Sequence, residues 1–340
     1  MIYVVLFFLA FSLVLYVLLA GADFGAGIIE LFSSKKNQAI TKKTVYRVMG
    51  PVWEANHIWI IIMIVILWVA FPVYYNIIVI YLHIPLTLML LGITLRGVAF
   101  VFRHYDAYKD KSQILYDWMF KISSLVTPIF LGITFGAMIS GKIIHTTTPI
   151  DYSFKILYID SWLHIFSILT GFFFAALCAF LSAVLLIGEA SYGDKKIYVK
   201  KATIATIVVV LFGFITILYG YISEIQFVID FVSNLYAMTI ILISAILLIP
   251  LWSSIRKGRR VLSRLFAGSQ VLLILIAALI PHYPMILFTT DGGISILENI
   301  APDSVIKVLG ISLLIGGCVI LPGLFHLLKS FKMIKILERH

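Results

Sequence analysis

Ten consecutive residues, Gly50–Trp59, read Gly-Pro-Val-Trp-Glu-Ala-Asn-His-Ile-Trp at the head of an apolar run that ends near Phe71. Pro51 suits the first turn of a helix, where its missing N–H costs nothing. On such a helix Glu54 and His57, three apart, share a face, and Trp53 and His57, four apart, are neighbours. A carboxylate, an imidazole, the Asn56 amide and the indoles of Trp53 and Trp59 therefore open a membrane-length segment. An ionisable group inside such a segment is costly and points to function. The competing reading places Glu54 at headgroup level, where it complements a helix N-terminus. Two more charges stand in apolar runs. Asp23 sits in Gly21-Ala-Asp-Phe-Gly-Ala-Gly27, where Gly21 and Gly25 form a small-xxx-small pair for close helix contact. Arg96 and Arg103, seven apart in Leu95-Arg-Gly-Val-Ala-Phe-Val-Phe-Arg103, share a face. Arg103 reads as an interfacial arginine; Arg96 is deeper, and snorkels or pairs with an acid.

The elements that must position these groups follow from composition. The chain is 62% hydrophobic and 12% charged, about half the charge of a soluble domain. Its mean hydropathy is +1.08. Apolar runs of membrane-spanning length recur throughout, which predicts an all-α polytopic membrane protein. The net charge of +10 need not mean nucleic acid, because basic residues flank spans on the cytoplasmic side. Cys178 and Cys318 lie alone and suggest neither a disulfide framework nor a metal site. About nine spans are expected: from Ile2 through Gly21–Phe32, which tilts, kinks or leaves the membrane near its glycines; Pro51–Phe71; Val73–Phe102; Ile114–Ile139; Trp162–Ile187; Ala202–Ile222; Leu235–Trp252; Leu265–Ile280; and Val305–Leu328. Ser33–Arg47 reads as a short basic loop, and Pro281–Asp303 as a loop without Lys or Arg. The basic loops alternate with loops that lack Lys and Arg, apart from the mixed loop with Lys142 and Lys155, which places the N-terminus outside and the C-terminus in the cytoplasm.

With that orientation Asp23, Glu54, His57 and Arg96 all lie toward the cytoplasmic side of the first three spans. Facing one another they can pair, which lowers the cost of burial. The cluster then either relays protons, as acid–histidine chains do in pumps, or braces three helices; both readings stay open. Gly188-Glu189 after span five echoes Gly21-Ala-Asp23, and each is followed by a double-lysine loop. Two four-helix units plus a ninth span fit that echo: 1–140 with the polar motifs, 141–282, and 283–340 as outer loop, ninth helix and basic tail.

The three motifs, in this order and spacing, resemble subunit II of the cytochrome bd-type quinol oxidases. Length and span count extend the resemblance over the whole chain; the motifs cover its first third. The resemblance implies two four-helix bundles with a peripheral helix in a prokaryotic plasma membrane. It implies a larger subunit I that binds quinol, haem b and haem d and reduces dioxygen to water, and it leaves open a small single-helix third subunit. It implies that this chain is not itself catalytic, supports haem assembly, and carries protons from the cytoplasm. Asp23 and Arg96 match family positions directly; Glu54 stands where the family often has Asp, and His57 where members have Gln. Trp53, Asn56 and Trp59 read as packing or cofactor-adjacent groups. His57, His83, His164, His282 and His326 are the histidines a haem could use, and His83 and His164 read as deep in their spans. No haem ligand and no metal site is assigned to this chain. The rival function is a secondary transporter, for which inverted repeats and midplane charges would be expected.

Overall fold

The computed structural model describes residues 1–50, 53–105, 111–145, 152–189, 194–257 and 259–330. Among them, nine helical segments are long and apolar enough to cross a membrane. The first joins α1 (Ile2–Leu15) to α2 (Gly21–Leu31) through a π-helical turn at Tyr16–Ala20. Its 30 residues would measure about 45 Å, more than a ~30 Å hydrocarbon core. The expected distortion is thus a π-turn, placed just ahead of Asp23, where such turns commonly serve a site.

The stretch expected as a basic loop is a helix, α3 (Lys35–Met49). Thr41, Thr44, Val45 and Val48 are buried at helical spacing while Lys35, Lys36 and Lys43 stay exposed. That is the pattern of a helix lying along an apolar surface. Span two comprises α4 (Trp53–Asn56) and α5 (Ile58–Ala70), stepped at His57. Pro51 lies outside the described residues. The span expected over Val73–Phe102 is instead two helices, α6 (Pro72–Tyr81) and α7 (His83–Tyr105). The reason is Pro85, which has no N–H for the Tyr81 carbonyl; Ser161 Oγ donates to that carbonyl instead, at 3.3 Å.

There follow α8 (Ser112–Ile139), α9 (Phe154–Tyr158), α10 (Ile165–Ile187), α11 (Lys195–Ile222) and α12 (Gln226–Ser233). Span seven is α13 (Leu235–Ile246) and α14 (Leu248–Arg256), broken where Pro250 cannot donate to Ile246. After α15 (Arg260–Leu279), the expected loop contains an antiparallel hairpin, β1 (Met285–Thr289) and β2 (Gly292–Ser295). Gly292 supplies the φ of +121° its turn needs. The last helix, α16 (Asp303–Ser330), packs on α1 and α5 and is otherwise largely exposed, as a peripheral helix should be.

The centre of the molecule is the seam where α8 meets α10, with α2 wedged against both. Glycine makes the wedge possible. A Cβ on Gly25 would sit 1.9 Å from the Cys178 carbonyl oxygen of α10, and one on Gly27 2.1 Å from Ser124 Oγ of α8. The expectation of close helix contact at these glycines therefore holds, and Asp23 beside them is fully buried.

Candidate functional site

Asp23 and Arg96 meet across α2 and α7 as a two-pronged pair. Arg96 Nη1 donates to Asp23 Oδ2 at 2.6 Å and Nη2 to Oδ1 at 2.8 Å. Nη2 also donates to the Asp23 carbonyl at 3.0 Å, and Nε to Ser124 Oγ of α8 at 3.0 Å. Asp23 is 0% and Arg96 1% exposed. The guanidinium lies between the rings of Phe24, at 5.4 Å, and Phe120, at 5.0 Å. So Arg96 does not snorkel; charge, hydrogen bonds and ring faces offset its desolvation.

His57 reaches the same place from span two. Its Nε2 is 3.9 Å from Asp23 Oδ2, and its ring leans on Phe24 and Tyr16. Its Nδ1 is buried and has no hydrogen-bond partner among the described residues. Glu54 is not brought in. It is exposed, whereas Asn56, two residues on in the same helix, is buried. In the turn there, His57 N donates to the Glu54 carbonyl at 3.2 Å, with Glu54 exposed and His57 half-buried. Trp53 packs on the Phe100 ring at 5.3 Å and lies against Gly97. Trp59 is buried edge-on to Phe11 at 5.8 Å. Three of the four expected cluster members therefore meet, and the fourth faces outward.

A second rung was missed. Arg103 is buried rather than interfacial: its Nη2 donates to Glu30 Oε1 at 2.6 Å and its Nε lies 2.8 Å from Asp117 Oδ1 of α8. Lys42 of α3 pairs with the same Asp117 oxygen at 2.6 Å. The two rungs share a sequence separation of 73. Equal separation means that α2 and α7 run parallel and in register, with rungs about 10 Å apart at seven residues. The Phe120 ring sits between them, 5.0 Å from one guanidinium and 4.8 Å from the other. The signal was present in the sequence, since Glu30 follows Asp23 by the same seven residues that separate the arginines. The Glu189 echo is answered too, by Arg264 of α15 at 2.8 Å.

The family model for subunit II of the cytochrome bd terminal oxidase matches residues 1–331. The chain belongs to the cytochrome bd terminal oxidase subunit II family. Among curated relatives, cytochrome bd ubiquinol oxidase subunit 2 of Bacillus subtilis is 29% identical over 177 residues, 52% of this chain and 49% of that one. Cytochrome bd-I ubiquinol oxidase subunit 2 of Escherichia coli K12 is 25% identical over 121 residues, 36% of this chain and 31% of that one. The matches thus span about half and about a third of these relatives. The fold resembles a chain of the bd oxidase from Geobacillus thermodenitrificans, with a TM-score of 0.76 and 18% identity, over 98% of this chain and 100% of that one. With its nine apolar helices this family member is a multi-pass bacterial membrane protein. Family membership displaces the transporter alternative.

Of the histidines a haem could use, three have a ring nitrogen engaged by the backbone. His164 is not deep in a span but caps α10, its Nδ1 accepting from Ser167 N at 3.3 Å. His83 opens α7, with Nδ1 2.8 Å from the Ile80 carbonyl. Both His282 nitrogens face carbonyls, of Ala278 at 2.7 Å and Phe227 at 2.9 Å. His326 is on the exposed α16. Among the described residues, no three His, Cys, Asp or Glu side chains gather as a metal site.

Proposed function

We propose that this chain is the non-catalytic second subunit of a quinol:dioxygen oxidoreductase in bacterial respiration. It pairs with a larger subunit I that holds the quinol site, haem b and haem d, and it aids haem assembly there. Its basic ends face the cytoplasm, by the rule that places Lys and Arg inside. Residues 1–140 and 141–282 form its two four-helix bundles, with 283–340 outside them. The membership of the chain in the subunit II family supports this reading.

Within it, the ladder and Glu54 divide the work. Asp23 and Arg96, tied by three hydrogen bonds and held between two rings, brace the helices. Glu54 handles protons. The observation that carries this is the face on which Glu54 stands: Glu54, Ile58, Ile61, Val65 and Trp68 recur at helical spacing and are all exposed. A carboxylate heading an otherwise apolar stripe is costly against lipid. Covered by subunit I, it becomes a proton donor and acceptor at the contact, with His57 one turn away. The test starts from the complex purified on a tag on this chain. A larger partner with b- and d-type haem bands in the reduced-minus-oxidised spectrum is expected; a colourless, partner-free chain would sink the subunit reading. Glu54→Gln should then slow oxygen reduction several-fold with the haem bands unchanged. Unchanged turnover would remove Glu54 from proton handling and leave the subunit reading standing.

A further inference from the structure

A groove of about 570 Å³ is lined by the basic ends of α11 and α14. Its floor is apolar, with Ile187 of α10 and Ile255 of α14 both buried. Its rim is cationic, with Lys196 and Lys200 from α11 and Arg256 from α14; among the described residues no carboxylate lines it. A second groove of about 480 Å³ adjoins it across Arg256 and is lined by Trp252 and Lys257. Neither set of cations belongs to the ion-pair ladder.

The α11 surface beneath the rim completes the arrangement. Lys196, Lys200, Ile204, Ile207, Leu211 and Phe214 follow one another at steps of four and three, so they share one face, and all are exposed. The face begins with cations and continues apolar. From Lys200 to Phe214 it runs about 21 Å, more than the ~15 Å of one hydrocarbon leaflet. Trp252 beside the rim marks the depth at which indoles sit between headgroups and acyl chains.

We propose that this groove binds one anionic phospholipid, its phosphate among Lys196, Lys200 and Arg256 and an acyl chain along Ile204, Ile207, Leu211 and Phe214. A free phosphate would use the cations but not the stripe. A zwitterionic lipid would set its own cationic headgroup against the rim.

The protein is purified from its native membrane in a mild non-ionic detergent, with whatever it is bound to there, and its phospholipid is extracted and quantified. Rebinding is then measured with phosphatidylglycerol, phosphatidylcholine and inorganic phosphate as probes. The groove variant combines Lys196→Gln, Lys200→Gln and Arg256→Gln. The control combines Lys35→Gln, Lys36→Gln and Lys43→Gln, three exposed cations of α3. Each groove cation is worth about 1 kcal/mol, or about fivefold. The groove variant should therefore bind phosphatidylglycerol roughly 100-fold more weakly, while the control binds as the parent does. Phosphatidylglycerol should outcompete phosphatidylcholine and resist displacement by inorganic phosphate. Equal losses in both variants would reduce the effect to general charge attraction and overturn the site. Equal retention of the two lipids, displacement by phosphate alone, or a partner chain cross-linking into the groove would overturn it as well. If the groove variant misfolds, the same three positions as Lys196→Arg, Lys200→Arg and Arg256→Lys should keep the lipid, and their losing it in a folded protein would refute the proposal.

Discussion

Neutralising one member of the Asp23–Arg96 pair should cost far more than neutralising both. Asp23→Asn preserves the shape of the side chain but leaves the Arg96 guanidinium, 1% exposed, without its counter-charge. Breaking a buried pair from one side costs about 3–5 kcal/mol, because a charge is left unpaired. A neutral hydrogen bond between membrane helices averages only about 0.6 kcal/mol. The two magnitudes are well separated, so the experiment can tell a charge brace from an ordinary polar contact. Arg96→Met should cost a similar amount by stranding Asp23. Asp23→Asn with Arg96→Met should cost clearly less than the sum, since no uncompensated charge remains. The reporter is Cys178, 0% exposed and seated on α10 against Gly25 of α2. With Cys318, which is exposed, replaced by serine, thiol labelling across a detergent denaturation series reads the opening of the α2–α10 seam. A loss of 3 kcal/mol should raise labelling at fixed denaturant by roughly 150-fold. Single variants that cost less than about 1 kcal/mol, or a double variant equal to their sum, would refute the brace.

Three further outcomes are expected. Gly25→Ala should destabilise by about 1–3 kcal/mol or more, because the clash is with the Cys178 carbonyl and backbone cannot swing aside; Gly316→Ala, where nothing lies within 4 Å, should be nearly silent in the same labelling assay. Arg103→Met should approach the cost of Arg96→Met, whereas Lys42→Ala should lie within about 1 kcal/mol. The reason is that the Lys42 and Asp117 side chains are 34% and 28% exposed, and thermal stability of the purified protein ranks the two variants. His164 gives a pH dependence: burial, then the nearby Lys142 charge, holds its pKa down at about 4. A depressed value stabilises the fold above the ordinary histidine range, and that stability is lost as pH falls from about 6.5 towards 4. His164→Asn, which can still cap α10, should flatten that part of a stability-versus-pH curve, and an unchanged curve would refute the assignment.

The sequence by itself determined the class, the span number and the identity of the innermost groups. Apolar length and loop charge are local quantities, readable without knowing which helix touches which. Asp23 and Arg96 were legible as candidates for pairing because each is costly alone in an apolar run and cheaper with a partner, but snorkelling and the choice between Asp23 and Glu54 stayed open. The same reasoning placed the glycines beside a close neighbour, and the contacts of Gly25 with the Cys178 backbone and of Gly27 with the Ser124 side chain bear that out. What only the tertiary structure decided were rotations about helix axes. Whether Arg103 pointed at lipid or at Glu30 depended on which faces of α2 and α7 meet, which the matching seven-residue spacings permit but do not decide. Glu54 left the cluster because it heads the exposed stripe of span two, with Ile58, Ile61 and Val65, and the spacing to His57 does not say which way that face turns. Ser33–Arg47 reads as a loop from its conspicuous lysines, while its three buried positions matter only once α2 and α10 offer a surface to cover. Side-chain type sets what a residue costs to bury; packing alone sets which partner offsets that cost.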